Sequence, residues 1–193
     1  MQAVTPTLEQ QRQEFANRAF LANPLAGMIV WSIIGVAGLW LPDATMVGVV
    51  FAGTGSIVYL GMFISKFTGE DFMKKDKPKN EFDRLFLLTA AQAILVYSIA
   101  IPFFLVDYSS LPMTIGILSG LMWVPFSWII KHWVGLFHTL FRTAVVLTLW
   151  YVLPEYRFVA IPFAIVATYV VTTLILANRK PVPVEPKYAV ATA

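Results

Sequence analysis

The sequence predicts an all-α polytopic membrane protein, and three observations support this fold class. Of its 193 residues, 58% are hydrophobic and 13% are charged, and the mean hydropathy of +0.71 is hard to reconcile with a fully hydrated surface. Six continuous apolar stretches are each 18 to 22 residues long, close to the ~20 residues that a helix needs to cross hydrocarbon. Twelve of the fourteen Lys and Arg residues fall at one end of these stretches, which indicates an orientation.

The apolar stretches predict six transmembrane helices in three hairpins. They comprise residues 24–41, 45–65, 85–106, 111–130, 133–153 and 158–177. Because the runs are continuous rather than alternating, they favour helices over the strands of a membrane barrel. Pro102 and Pro125 are expected to bend the third and fourth spans. A GxxxG pattern at Gly116 and Gly120 predicts close helix packing inside the bundle rather than dimerisation.

A polar lead-in, residues 1–23, precedes the first span. A Thr-x-x-Gln capping box begins at Thr7, and apolar residues then recur at helical spacing, so a short helix is predicted. One interpretation places it on the cytoplasmic membrane surface as an interfacial amphipathic helix, and the alternative is that it packs against the bundle. Residues 24–177 form the six-helix bundle, and the Pro-rich tail 178–193 is expected to be cytoplasmic and disordered.

Orientation follows from the positive-inside rule. The basic residues at one end are Arg12, Arg18, Lys66, Lys74, Lys75, Lys77, Lys79, Arg84, Lys131, Arg179, Lys180 and Lys187. Arg157 stands alone at the opposite end, so both termini and the loop 66–84 are predicted to be cytoplasmic. That loop carries six basic and five acidic side chains, a mixture typical of a solvated loop. The lipid bilayer is therefore the predicted surrounding, and nucleic acid is not a predicted partner.

Arg142 is the one Lys, Arg, Asp or Glu residue inside the six apolar stretches. At 1.5 Å per residue it lies about 14 Å from the cytoplasmic end of the fifth span, near the midplane. His138 is four residues earlier and shares its helix face. The same depth count brings Ser119 to the level of Arg142 and Gln92 to that of His138. An arginine at this depth must face protein, water or a ligand.

The functional hypothesis is a ligand-binding site made of Arg142, His138, Gln92 and Ser119. The planar guanidinium would grip the oxygens of a small anionic or amphipathic molecule, a lipid included, while the other side chains add hydrogen bonds. The alternative is that Arg142 bonds backbone carbonyls made available by a proline and holds the bundle together.

Three classes of function remain open. The preferred one is binding or transport of that molecule. The second is a non-catalytic accessory or structural subunit, which would act with a membrane-protein partner or as a homo-oligomer, and the third is an intramembrane enzyme acting on lipid. No catalytic residue or cofactor is predicted, since no H-E-x-x-H, G-x-S-x-G or P-loop pattern occurs. No metal site is predicted either, because His132 and His138 do not share a helix face and the chain has no cysteine.

A family resemblance rests on the order of features from the first span onward. These are Trp31, a charged loop before Leu85-Phe-Leu-Leu, Ala91-Gln92, Ile101-Pro102-Phe103-Phe104, Gly120, Pro125-Phe126-Ser127-Trp128 and Lys131. Their order resembles an uncharacterised family of small bacterial multi-pass membrane proteins, domain of unknown function 7010. The resemblance extends to Lys131 and implies a bacterial inner (plasma) membrane, but it implies no activity.

Overall fold

The structure is a computed structural model, and it describes residues 6–70 and 80–183. Within those residues the chain forms nine α-helices and no strand, so the all-α prediction is confirmed. The helices are α1 (Leu8–Ala16), α2 (Ala22–Ala37), α3 (Asp43–Ser65), α4 (Glu81–Leu95), α5 (Tyr97–Val106), α6 (Leu111–Gly120), α7 (Trp123–Ile129), α8 (Val134–Val152) and α9 (Arg157–Ala177). Short 3₁₀ turns, Tyr108–Ser110 and Pro154–Tyr156, precede α6 and α9.

Five helical segments of the described chain are long and apolar enough to cross a membrane. They are Asp43–Ser65, Glu81–Val106, Tyr108–Ile129, Val134–Val152 and Pro154–Ala177. The remaining predicted span, 24–41, is instead the 16-residue helix α2, which is shorter than the ~20 residues of a typical crossing. At the C-terminal end of this helix Gly38 packs on α9, where a Cβ would lie 2.6 Å from the carbonyl oxygen of Phe158. Six crossing-length helices are therefore not confirmed.

The third and fourth predicted spans are each divided into two helices. α4 and α5 meet at Val96, and Leu121 and Met122 separate α6 from α7. Both interruptions lie on the N-terminal side of a proline, at Pro102 and Pro125. Proline removes the amide that would bond the carbonyl four residues earlier, and for Pro125 this is the carbonyl of Leu121, at the break itself. For Pro102 it is the carbonyl of Ser98, two residues beyond Val96, so the proline does not by itself explain the break at Val96.

The interior of the bundle is built by α2, α6, α7, α8 and α9. α2 packs against α3 and α9, and α8 packs against α6, α7 and α9. Trp31, Val146, Ile161 and Ile165 are fully buried at these contacts. In contrast, α3 and the α4–α5 pair bury few of their residues, as expected for helices that present apolar side chains to hydrocarbon.

The GxxxG glycines face the interior, as predicted. A Cβ on Gly116 would lie 3.0 Å from Ile165, and one on Gly120 would lie 3.2 Å from Cδ of Arg142. The glycines therefore bring α6 close to α9 and α8 within the bundle.

The lead-in helix α1 has the predicted capping box, but it docks on the bundle. The ring of Phe15 is buried against those of Phe20 and Phe86. Arg12 donates to the carbonyl of Ile129 at 3.0 Å. The second interpretation, packing against the bundle, describes these contacts, while Leu8 and Ala19 of the same apolar face remain exposed, so the interfacial position stays a prediction.

The two terminal segments meet at one end of the bundle. Asn17 donates to the carbonyl of Val182 at 2.9 Å and accepts from its amide at 2.7 Å. Arg179 donates to the carbonyls of Ala16 and Arg18. The predicted disordered tail is thus attached through its first residues, 178–183, and its residues 184–193 lie outside the described chain.

Both flanks of the predicted solvated loop 66–84 are also attached to the lead-in. Glu70 accepts from the amides of Leu21 and Ala22 at 2.7 and 3.0 Å, so it satisfies donors at the start of α2. Arg18 and Asp83 form a two-point ion pair. Residues 71–79, which carry most of the lysines of this loop, lie outside the described chain.

Candidate functional site

Arg142 lies in the interior, halfway along α8. It is the ninth of the 19 residues of that helix, and its side chain is 1% exposed. Gly120 leaves the space that the side chain of Arg142 occupies, since a Cβ there would be 3.2 Å from Cδ and 3.4 Å from Nε of the arginine. The guanidinium is therefore enclosed by protein at the middle of a helix of crossing length.

The hydrogen bonds of Arg142 go to side chains. One terminal nitrogen lies 3.3 Å from Nε2 of His138, and the other donates to the hydroxyl of Ser119 at 3.1 Å. Its Nε–H is buried and has no acceptor among the described residues. No backbone carbonyl of the described chain accepts a hydrogen bond from the guanidinium. These bonds therefore differ from the alternative prediction, in which Arg142 donates to backbone carbonyls made available by a proline.

His138 is held in one tautomer by a chain of hydrogen bonds along α9. The hydroxyl of Thr172 donates to the carbonyl of Thr168 at 2.8 Å, so its single proton is used. Nδ1 of His138 lies 2.9 Å from that hydroxyl oxygen and is assigned as the donor from this network. Nε2 is then a lone-pair acceptor for Arg142. His138 is consequently a neutral partner that orients the guanidinium without cancelling its charge.

Aromatic rings form the remaining wall around the cation. The guanidinium carbon lies 5.8 Å from the ring centroid of Trp31 and 5.3 Å from that of Tyr169. The ring of Trp123 stacks on His138 with centroids 4.4 Å apart. Ring faces attract a cation, by roughly 2 kcal/mol when the pair is desolvated, so they offset part of its burial cost.

Within the described part of the chain, the charge of Arg142 has no carboxylate partner. The ion pairs of the described residues join Arg12 with Glu9, Arg18 with Asp83, Lys131 with Glu9, and Arg157 with Asp107. A buried cation that meets only neutral groups is costly, because its attraction to them does not replace the hydration that it loses. The site therefore favours an added negative group. No cluster of three or more metal-ligating side chains occurs in the described ranges.

A cavity of about 890 Å³ reaches this site from the end of the bundle where the terminal segments meet. Ser119, Trp123 and Tyr169 line its inner part, and Arg18 and Asp83 line its mouth. Arg142 itself does not line the cavity. It lies one hydrogen bond behind Ser119, which is half-buried and faces both.

Three of the four predicted site residues meet, and one does not. Arg142, His138 and Ser119 are joined by hydrogen bonds. Gln92 lies exposed on α4, forms no hydrogen bond with Arg142 or His138, and does not line the cavity. Its predicted depth does not bring it to the site, because α4 is a peripheral helix on which Gln92 is exposed.

Sequence reasoning missed Trp31, Trp123 and Thr172 as parts of the site. Six tryptophans and fifteen phenylalanines occur in the chain, so aromatic composition alone does not identify the rings that face one cation. Thr172 is three to four residues from Thr168 and Tyr169, which share the depth of Arg142, and this spacing is the signal that could have found it.

The comparison with family models is decisive for classification. A family of unknown function, DUF7010, matches residues 8–179. The chain belongs to the DUF7010 family. The match continues beyond Lys131 through the last hairpin, so the segment that carries His138 and Arg142 is part of what the family model describes. No curated protein and no solved structure matches the chain.

Proposed function

We propose that this DUF7010 protein binds a small amphipathic molecule that carries an anionic group, and that the anionic group is recognised at Arg142. The observation that carries the proposal is a fully buried guanidinium with an unpaired Nε–H and no carboxylate partner among the described residues. An uncompensated buried charge is strongly destabilising, and a ligand carboxylate or phosphate oxygen would compensate it.

Ser119 is the point at which such a ligand would meet the guanidinium. Its hydroxyl lines the cavity and accepts from Arg142. A ligand oxygen that takes the place of this hydroxyl receives the same N–H bond with full charge assistance, which is roughly twice as strong as a bond between neutral groups. Tyr169 lines the same wall and presents its ring to the guanidinium. We extend this proposal to transport, in which the protein moves the bound molecule through or along the bundle.

A second candidate function is that of a non-catalytic structural or accessory subunit. The specific observation in its favour is that Arg142 of α8 joins three other helices, through Trp31 of α2, Ser119 of α6 and Tyr169 of α9. In this case the arginine would serve as a cross-link, and the cavity would hold only bulk lipid.

The membrane topology that accompanies the proposal has six crossings, with α2 as a short one. Its support is the contact between Asn17 and Val182, which brings both terminal segments to one end of the bundle. Five crossings would place them at opposite ends. By the positive-inside rule that end is cytoplasmic, and the family resemblance favours a bacterial inner membrane.

The test compares the molecules retained by gently purified protein, identified by mass spectrometry, between wild type and Arg142→Gln. We expect Arg142→Gln to lose about tenfold or more of an anionic amphiphile, because a charge-assisted hydrogen bond contributes roughly 1.5–3 kcal/mol. Arg157→Gln is the matched control: this arginine lies over the ring of Trp150 at 4.3 Å and donates to its carbonyl at 2.9 Å, but it does not line the cavity.

If wild type and Arg142→Gln retain the same anionic molecules in equal amounts, the proposal is wrong. Should Arg142→Gln fail to fold, Ser119→Ala provides the second variant. Because the ligand oxygen takes the place of this hydroxyl, we expect Ser119→Ala to retain at least as much of the anionic molecule as wild type, and a loss of about tenfold would contradict the proposal. An unchanged set of molecules in a folded Arg142→Gln protein of lower thermal stability would favour the structural subunit.

A further inference from the structure

The cavity is apolar through its middle and polar at its two ends. Ile57, Met62, Phe86 and Phe126 are among the residues of the middle section. The inner end carries the hydroxyls of Thr54, Tyr97 and Ser119, and the mouth carries Arg18, Glu70, Glu81, Asp83 and Arg84. Its volume of about 890 Å³ is near the upper range of small-molecule pockets, about 300–1,000 Å³. The space is therefore suited to a long apolar body rather than to a small hydrated ion.

The side of the cavity is bounded by α3 and α4, which belong to the two least buried of the five long apolar segments. Val58 of α3 and Leu87 and Ile94 of α4 line the cavity and are also exposed. Towards the middle of the bundle, α3 and α5 are in contact, because the hydroxyls of Thr54 on α3 and Tyr97 on α5 lie 2.9 Å apart. The opening between α3 and α4 thus lies beside the half of the bundle that holds the terminal segments, and it faces the hydrocarbon.

The charges at the two ends determine which way an acidic ligand would lie. Among the described residues, the mouth is lined by three carboxylates and two arginines, and Arg18 is already paired with Asp83. An anionic group placed there would meet more carboxylates than arginines among these lining residues. As far as residues 6–70 and 80–183 show, the inner end adjoins a single cation, Arg142, and no carboxylate. One negative charge can be balanced at the inner end, whereas the second charge of a phosphate monoester would stay buried and unpaired.

From these features we infer that the ligand is a long-chain carboxylate that enters sideways from the hydrocarbon between α3 and α4. Its carboxylate binds at Ser119 and Arg142, and its chain lies along the apolar middle section. The inference rests on the proposed function, because it names the chemical class that the Arg142 site recognises and the route by which it arrives.

The first test measures binding of radiolabelled hexadecanoate to the protein in phosphatidylcholine nanodiscs, with protein-free nanodiscs as the blank. We expect saturable binding of one equivalent and no displacement by acetate. Octanoate should displace it only at a free aqueous concentration more than about a thousandfold higher, because each missing methylene weakens burial by about fourfold. Hexadecanol should compete poorly because it carries no charge for Arg142.

The second test blocks the space with one side chain on α3. Gly55 lines the cavity, and a Cβ there would meet nothing within 4 Å, so Gly55→Trp fills the cavity without a clash at the backbone. Gly48 of the same helix also has nothing within 4 Å but does not line the cavity, and Gly48→Trp is the matched control. We expect Gly55→Trp to weaken hexadecanoate binding by about tenfold or more, and Gly48→Trp by less than about twofold.

The outcomes separate the two proposals. If acetate and hexadecanoate bind equally well and Arg142→Gln abolishes both, the anion site stands and the long-chain class is overturned. If hexadecanol binds as well as hexadecanoate and Arg142→Gln changes neither, the anion site itself is overturned. Equal binding by Gly55→Trp and Gly48→Trp would contradict the path between α3 and α4.

Discussion

At the scale of single residues, the proton of Thr172 has a large effect on the candidate site. By donating to the backbone of α9, this hydroxyl makes His138 a donor at Nδ1 and an acceptor at Nε2. Arg142 then faces a lone pair instead of a second N–H group. Each hydrogen bond from Thr172 through His138 to Arg142 thus joins a donor to an acceptor. The hydrogen-bond partners of Arg142 are nevertheless neutral, so they leave its charge unbalanced.

Thr172→Val tests this chain of hydrogen bonds. The substitution keeps the shape of the side chain but leaves Nδ1–H of His138 buried without an acceptor, which typically costs about 1–3 kcal/mol. We expect a lower midpoint of thermal unfolding in detergent than for Thr168→Val. That control removes a buried hydroxyl one turn away which donates only to the carbonyl of Ala164. Equal midpoints would show that His138 does not depend on Thr172.

The sequence could predict three of the four proposed site residues, because helical spacing and depth place side chains along an axis. His138 is four residues from Arg142, and Ser119 lies at its level on another helix. Depth does not determine the direction in which a side chain points. Gln92 is exposed on α4, a helix that lies outside the core, and the rings of Trp31 and Trp123 meet the site through the packing of α2 and α7.

At the scale of elements, α1 is held to the bundle by charge as well as by apolar contact. Arg12 donates to the carboxylate of Glu9, and Lys131 lies 3.4 Å from it. The hydrogen bond from Arg12, together with the charges of Arg12 and Lys131, lowers the pKa of Glu9 from 4.5 to about 2. Because the pKa is lowered on folding, the ionised carboxylate stabilises the folded α1, within the helix through Arg12 and towards the bundle through Lys131, above about pH 4.5, and this contribution is lost as pH falls towards 2.

We therefore expect the amides of α1 to exchange faster with solvent as pH falls from 4.5 towards 2, after correction for the intrinsic exchange rate. Glu9→Gln should remove this pH dependence. Glu14→Gln changes the charge on the exposed side of the same helix and should leave it intact. If Glu9→Gln and wild type respond identically to pH, the contact with Arg12 does not contribute to docking.

The helices differ in how well the sequence predicted them. The boundaries of α3, α8 and α9 follow the apolar runs to within a few residues, because hydrophobic length determines them. The length of α2 was overestimated, since the apolar run continues through a turn that forms where Gly38 meets the backbone of α9. Prolines indicated that two spans would be disturbed, but the position of each break depends on how neighbouring helices compensate the lost hydrogen bond.

At the scale of the whole molecule, the proposed topology places both terminal segments on the cytoplasmic side. The chain contains no cysteine, so single cysteines report position without background. We expect Glu14→Cys and Arg84→Cys to react with a membrane-impermeant maleimide from the cytoplasmic side, and Trp40→Cys and Tyr156→Cys from the opposite side. Labelling of Trp40→Cys and Glu14→Cys from the same side would show that α2 does not cross the membrane.

The most direct measurement is an experimental density map of the protein purified in a mild detergent or in nanodiscs. The account predicts non-protein density in the cavity, with an oxygen-bearing end at Ser119 within hydrogen-bonding distance of Arg142. A map in which the guanidinium is fully bonded to main-chain oxygens beside an empty or water-filled cavity would contradict it.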